Sequence, residues 1–310
     1  MRKAFFFSGS MKNKNSYKFA IIGLGKVGTA IGHLLRKSGH RIVAISDKSP
    51  AALKKARPYT GGKAFRDPGI SVMDADCIVI TTPDDIISSV CNEIADSKLV
   101  KQKFVFHMSG AGGLDLLDTA KEAGAYVASI HPLQSFSSVD TAIENIPGSI
   151  FGITTDKKAQ KQAQIIVQDL NGIPIFISDV QKPLYHAAAC IASNYLVSLL
   201  NVVESVYESI GISKTNAQKA YFPLIYGTLK NIEYSGSINA LTGPIARGDA
   251  GTIKKHIAAI AKTQPQYLSL YCNLGLITTN IAQKKGTLSK GKAKLINDLL
   301  KEVAEHEHTK

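Results

Sequence analysis

The chain has 310 residues, of which 45% are apolar and 20% charged, and its formal net charge is +13. That length suits two domains of ordinary size, and the composition excludes a disordered, collagen-like or fibrous chain. The 37 Lys and Arg residues are scattered, with no dense block and no interleaved aromatics, so no nucleic-acid partner is expected. A solvated surface accounts for the excess, and a phosphate-bearing cofactor and a small anionic substrate would also suit a basic cleft.

No run approaches the roughly 20 apolar residues of a membrane span, and no membrane partner is expected. The opening MRKAFFFSGS imitates a signal peptide, but its apolar core stops at Phe7, short of the about 7–15 residues of an h-region. Residues 1–17 are therefore expected to be a disordered tail or a mis-assigned start, with Met11 as the alternative first residue. Cysteines 77, 91, 190 and 272 show no Cys-x-x-Cys spacing. They read as small buried residues in a reducing compartment, so the cytoplasm is the expected location, and no metal site is predicted.

From residue 18 strands and helices alternate. Phe19 to Ile22 is a short continuous apolar run, as in a strand buried on both faces. GLGKVG follows, and the helical pattern after it stops at Gly39. HRIVAIS, DCIVITTP, KFVFHMSG, AYVASIHPL, SIFGIT and IPIFIS add strands, with helical stretches between them. The fold class is α/β: a Rossmann-type parallel sheet domain over 18–178, followed by an all-α domain over 179–310.

Gly23, Gly25 and Gly28 form G-x-G-x-x-G between a strand and a helix. The first permits the tight turn, the second lets a pyrophosphate approach, and the third lets helix and strand pack. Leu24, Lys26 and Val27 complete this dinucleotide loop. Asp47 lies near the end of the second strand, where an acid selects NAD. Ser46 and Lys48 flank it and suit the 2′-phosphate of NADP. NADP is the expected cofactor, with NAD the alternative. Thr81, Thr82 and Pro83 end the next strand at the cofactor edge, and Asp84 and Asp85 are expected to cap the helix after it. Ser109, ending the following strand, is expected beside the nicotinamide. His131 ends another strand, as a substrate contact or a surface histidine in a turn.

The second half reads as helices. One long helix is predicted from about Pro183 to Ile210, a second over TNAQKAYFPLIYGTLKNIEYSG with a kink at Pro223, then three more. His186, Cys190 and Asn194 are four apart and share a stripe, with Lys182 one step before them. A stripe of Lys, His and Asn among alanines suits a cleft face; satisfied buried polar groups are the alternative. LTGPIARGD interrupts the helices. Gly243 and Pro244 break the chain there, Asp249 caps the next helix, Arg247 can fork onto a carboxylate, and Thr242 adds a hydrogen bond. This loop is read as lining the cleft or as a structural turn.

HPLQSF, YHAAACIASNYL and LTGPIARGD resemble the Rossmann-like proteins whose C-terminal part is the domain of unknown function 2520. These lie within the 6-phosphogluconate dehydrogenase-like superfamily, beside pyrroline-5-carboxylate reductase, prephenate dehydrogenase and ketopantoate reductase. The resemblance spans roughly 18–300. It implies an NAD(P)-dependent oxidoreductase with catalysis between its two domains and a homodimer formed through the helical one. Lys182, His186 and Asn194 match the place where relatives hold catalytic groups. The expected reaction is reduction of a small carboxylate-bearing carbonyl compound, such as a 2-keto acid like ketopantoate. Lys182 or His186 would give the proton, Asn194 would orient, and Arg247 would hold the carboxylate. A dinucleotide sensor without turnover is the alternative.

Overall fold

The computed structural model describes residues 16–306. The chain folds as two compact units, the boundary falling after Ser193. The first unit therefore keeps the first helix beyond residue 178, where the sequence reading placed the start of the helical domain. The proposed alternative start at Met11 lies outside the described residues. Ser16 and Tyr17, assigned to the tail, are anchored: Ser16 Oγ donates to the Gly39 carbonyl at 2.8 Å and the Tyr17 N–H donates to His40 Nδ1 at 3.2 Å.

In the first unit, β1 (Lys18–Ile22) leads through α1 (Lys26–Lys37) to β2 (Arg41–Ser46), then through α2 (Pro50–Thr60) to β3 (Lys63–Phe65). A single-turn α3 (Pro68–Ser71) precedes β4 (Cys77–Ile80), α4 (Asp84–Asp96), β5 (Phe104–His107), α5 (Asp118–Glu122) and β6 (Tyr126–Pro132). Then come α6 (Val139–Asn145), β7 (Ile150–Thr155), α7 (Gln160–Asp169), β8 (Ile173–Phe176) and α8 (Lys182–Ala192). One eight-stranded sheet results, in the order β3-β2-β1-β4-β5-β6-β7-β8. β1 shows why its sequence is continuously apolar: Phe19 and Ile21 enter one core, Ala20 and Ile22 the other, on opposite faces of the sheet.

Two features differ from the sequence reading. The sheet is not wholly parallel, because β7 runs antiparallel to β6 while β8 is parallel to β7. Burial on both faces produces the same apolar run whichever way a strand points, so direction left no trace in the pattern. β3 was not expected: it is a three-residue edge strand, Lys-Ala-Phe, with no apolar run to mark it.

The second unit contains α9 (Asn194–Ser209), α10 (Lys214–Ala240), α11 (Pro244–Arg247), α12 (Ala250–Thr263), α13 (Leu268–Lys285) and α14 (Lys290–His306). Its core gathers Ile253, Leu268, Cys272, Ile296 and Leu300. On α9, Glu204 accepts from Tyr221 Oη at 2.7 Å and Gln218 Nε2 at 3.0 Å and pairs with Lys214 at 3.1 Å, joining α9 to α10. Hydrogen bonds from Gln218, Tyr221 and Lys214 hold its carboxyl down to about 2. The single long helix predicted over 183–210 is instead two. Ser193, at φ −117° and ψ −68°, separates α8 from α9. In α10 the break falls at Gly236, with φ +77°, and not at Pro223. The stretch Asp179–Ser209, whose most apolar 18-residue window has a mean hydropathy of 1.4, is long and apolar enough to cross a membrane by length and composition, contrary to the expectation that no run came near that size. Ser193 cuts it into helices of 11 and 16 residues, each short of the about 20 a span requires.

Candidate active site

The glycine-rich turn is built as its spacing requires. Gly23 has φ +91°, and a Cβ there would lie 2.7 Å from the Thr82 backbone nitrogen. A Cβ on Gly28 would collide with the Gly23 carbonyl and the Thr81 hydroxyl. Gly25 differs: a Cβ there meets nothing within 4 Å. Its lack of a side chain therefore opens space above the first turn of α1, whose N-cap, Gly25 itself, supplies no side-chain hydrogen bond. Backbone N–H groups of that turn, those of Lys26, Val27 and Gly28 among them, carry the partial positive charge that a pyrophosphate needs. The residues present fit a dinucleotide.

Around this turn the polar side chains sort into free and committed. Asp47 accepts from the Leu24 N–H and the Ser49 N–H, each at 2.8 Å, and so braces the glycine turn against the end of β2. Ser46 is buried, which removes its hydroxyl from a surface phosphate. Lys48 is exposed and lies 3.7 Å from Glu93, a surface pair worth little. The Thr81 hydroxyl is spent on the Ile22 and Gly23 carbonyls, at 3.1 and 2.5 Å, so it holds the turn and not a cofactor. Thr82 Oγ1 is buried without a partner, and Pro83 is the N-cap of α4. Neither Asp84 nor Asp85 caps that helix through its side chain. Both stand in its first turn, and Asp84 instead accepts from Ser109 Oγ at 2.7 Å.

The ends of β5 and β6 meet the start of α8 beyond the sheet. Lys182, the first residue of α8, is fully buried. Its ammonium donates to Ser129 Oγ at 2.7 Å and to the Ser109 carbonyl at 3.4 Å. Burial pushes its pKa down to about 8, opposed by the nearby charges of Asp179 and Asp84. Ser109 is a hub: its hydroxyl also accepts from the Gly112 N–H at 2.8 Å, and its carbonyl receives Ser129 Oγ at 3.2 Å. This leaves Ser109 framing the site more than facing a ligand.

Over Gly110 two imidazoles converge. A Cβ on Gly110 would collide with His186 Nδ1 and come within 2.8 Å of His131 Nε2. The rings of His131 and His186 meet edge to face, with centroids 5.8 Å apart. His186 Nδ1 is buried without a partner, while its Nε2 lies 3.6 Å from Cys190 Sγ, the contact that four-residue spacing predicts. His131 is pushed down to about 4, by burial first and then by the charges of His186 and Lys182.

Sequence reasoning missed Ser129, Tyr185 and His107. Fully buried His107 accepts the Ser109 N–H at Nδ1, at 3.1 Å, so its Nε2 carries the proton given to the Gly113 carbonyl at 2.9 Å. Burial holds it at about 4. The histidine before MSGAGG was the available signal: a polar residue closing a strand of FVF, just before a glycine loop that needs a brace. Ser129 sits inside an apolar strand, and nothing local in VASI distinguishes it.

The other predicted residues lie in the second unit. Asn194 does not continue the His186–Cys190 stripe, because Ser193 resets the helical phase and Asn194 opens α9 with its side chain exposed. In LTGPIARGD, Gly243 has φ +100° and Gly248 has φ +72°, conformations that favour glycine, and they bracket the single turn α11. Asp249 caps α12, accepting from the Thr252 N–H at 3.0 Å. Arg247 and Thr242 are exposed, and Arg247 has no hydrogen bond or ion pair among the described residues.

A model of a Rossmann-like domain matches residues 8–132, and the model of the domain of unknown function 2520 matches residues 149–278. The second begins just before β7, where the sheet reverses direction. No curated protein matches the chain by sequence. Among solved structures, a Bacteroides fragilis protein assigned as an NADP oxidoreductase superposes with a TM-score of 0.71 at 17% identity, over 86% of this chain and 98% of its own. Protein TM1727 from Thermotoga maritima gives 0.63 at 23% identity, over 94% and 99%. Plasmodium falciparum pyrroline carboxylate reductase with NADP bound gives 0.55 at 15% identity, over 91% and 100%. At such identities the likeness concerns the fold. The two domain matches follow one another along the chain, the Rossmann-like domain first and the domain of unknown function 2520 second.

Proposed function

We propose that the protein is an NAD(P)H-dependent reductase of a small, carboxylate-bearing carbonyl compound, with 2-keto acids of the ketopantoate kind as the candidate substrates. The observation that carries this reading is the buried Lys182 ammonium, near enough for its charge to act on the half-buried His131 beside His186, at the same sheet edge as an open glycine turn. A dinucleotide held at that turn supplies hydride. The chain's own residues then manage charge: carbonyl reduction places negative charge on oxygen, and Lys182 and His186 are the groups that give it a proton. A lysine brought down to about 8 is well matched to proton transfer near neutral pH. Arg247, exposed and unpaired in its own unit, is the candidate for the substrate carboxylate.

NADPH is the proposed reductant. Both Asp47 oxygens already accept backbone N–H groups, which leaves the exposed Lys48 ammonium, held only by its weak surface pair with Glu93, as the charge at the end of β2 for a 2′-phosphate. We further propose a homodimer formed through the helical unit and a cytoplasmic location. A nucleotide sensor without turnover is the second reading; it needs an open glycine turn but no proton donor. The test is NADPH absorbance followed against 2-keto acids, aldehydes and imines, alongside NADPH and NADH titrations. Turnover of a keto acid with tighter NADPH binding is expected. Tight binding without turnover across the panel would favour the sensor.

A further inference from the structure

His131, the last residue but one of β6, has its side chain set between two residues of α8. Its Nδ1 lies 3.1 Å from the Tyr185 hydroxyl, and the two rings meet at 89° with centroids 5.7 Å apart. Tyr185 in turn lies over Gly152 of β7, the residue registered with His131 across the antiparallel pair. A Cβ on Gly152 would fall 2.8 Å from the phenol oxygen and from the ring carbon that bears it, so glycine is what lets the phenol settle there. The Gly152 backbone N–H acts on that same oxygen. With its oxygen facing that donor, the phenol is placed to give its own proton to His131 Nδ1. An imidazole that accepts at Nδ1 carries its proton at Nε2. That Nε2 points over Gly110, beside the unpartnered Nδ1 of His186.

We infer that His131 is a further catalytic residue, a neutral imidazole locked by Tyr185 in its Nε2–H form, which donates a hydrogen bond to the oxygen of a carbonyl substrate. The inference rests on the reductase reading and adds to it the group that meets the carbonyl oxygen. As hydride reaches the carbonyl carbon, the C=O π pair moves to oxygen. His131 stabilises that oxygen and keeps its own proton, while Lys182 or His186 delivers the proton that completes the alcohol. Burial, which pushes His131 down to about 4, keeps it neutral at working pH. An iminium substrate does not match: its nitrogen is a cationic donor that would face an N–H donor and the buried Lys182 charge. The site therefore selects C=O over C=N.

Ring nitrogen NMR of the full-length protein, with His131 assigned by comparison with His131→Gln, reads the lock directly. The Nε2–H tautomer is expected near neutral pH, giving way to a mixture in Tyr185→Phe. With a keto acid that the unmodified protein reduces, His131→Ala should lower kcat by about 10²–10³. His131→Gln, whose amide can present an N–H where Nε2–H stood, should recover much of that loss. Tyr185→Phe should lower kcat about tenfold and leave KM nearly unchanged. An Nδ1–H tautomer in the unmodified protein, full turnover in His131→Ala, or imines preferred to ketones would each overturn the inference. The tautomer is read without substrate, so a panel with no turnover counts against the reductase reading while the lock is still decided.

Discussion

Lys182 combines complete burial with a short bond to Ser129 Oγ, and its chemistry follows from both. Leaving water destabilises the ammonium, and Asp179 and Asp84 restore only part of what it loses, so the group titrates at about 8 in place of its ordinary 10.5. If the charged form is the proton donor, kcat should hold through neutral pH and fall as pH rises past about 8. Between that value and 10.5 the unfolded chain keeps a proton that the folded chain has shed. Stability should therefore rise with pH across that window, the cost of the buried charge being fully present below it. Lys182→Met should abolish the alkaline limb of the kcat profile and lower turnover by about 10²–10⁴. An unchanged profile in that variant would remove Lys182 from the chemistry and leave His186 as the donor.

At the scale of the element, the β1–α1 turn assigns different work to glycines that look alike in sequence. Gly28 lets α1 close onto the Gly23 carbonyl and the Thr81 hydroxyl, whereas Gly25 faces open space. Gly28→Ala should lower the melting temperature, since overpacking a backbone contact costs about 1–3 kcal/mol. Gly25→Ala should leave the melting temperature nearly unchanged, while its new methyl group raises the dinucleotide Kd at least tenfold. Calorimetry and NADPH titration of the two variants check this pair. Equal loss of binding with equal loss of stability would mean that the turn acts as one rigid body, with no separate opening at Gly25.

Across the whole molecule, the helical unit leaves much apolar surface in water. Tyr195 and Val197 on α9, Leu224, Tyr226 and Tyr234 on α10 and Ile277 on α13 are all more than half exposed, Tyr234 at 94%. A monomer rarely displays so many large apolar side chains on neighbouring helices. A second copy covering them follows from the proposed homodimer. Light scattering should give a mass of twice 33.2 kDa, and Leu224→Glu with Tyr226→Glu should halve it while the first unit keeps its dinucleotide affinity. A monomer at micromolar concentration in the unmodified protein would refute the dimer.

Much of the fold was legible because its signals are local. The run from Phe19 to Ile22, the spacing of Gly23, Gly25 and Gly28, the four-residue step from His186 to Cys190 and the cap at Asp249 each depend on neighbours within a turn or a strand. Burial, φ and side-chain reach at those positions are set by residues a few places away. Tertiary structure alone decided what joins distant segments. Strand direction at β7 depends on how the chain returns to the sheet, which no period records. Ser193 broke a pattern that looks continuously helical and carried Asn194 out of the stripe. Lys182 meets Ser129 across 53 residues, and His131 meets Tyr185 across 54. Such pairs form because parallel strands end at one edge and a helix start is packed over it, and only that convergence turns a buried lysine and a strand-end histidine into one site.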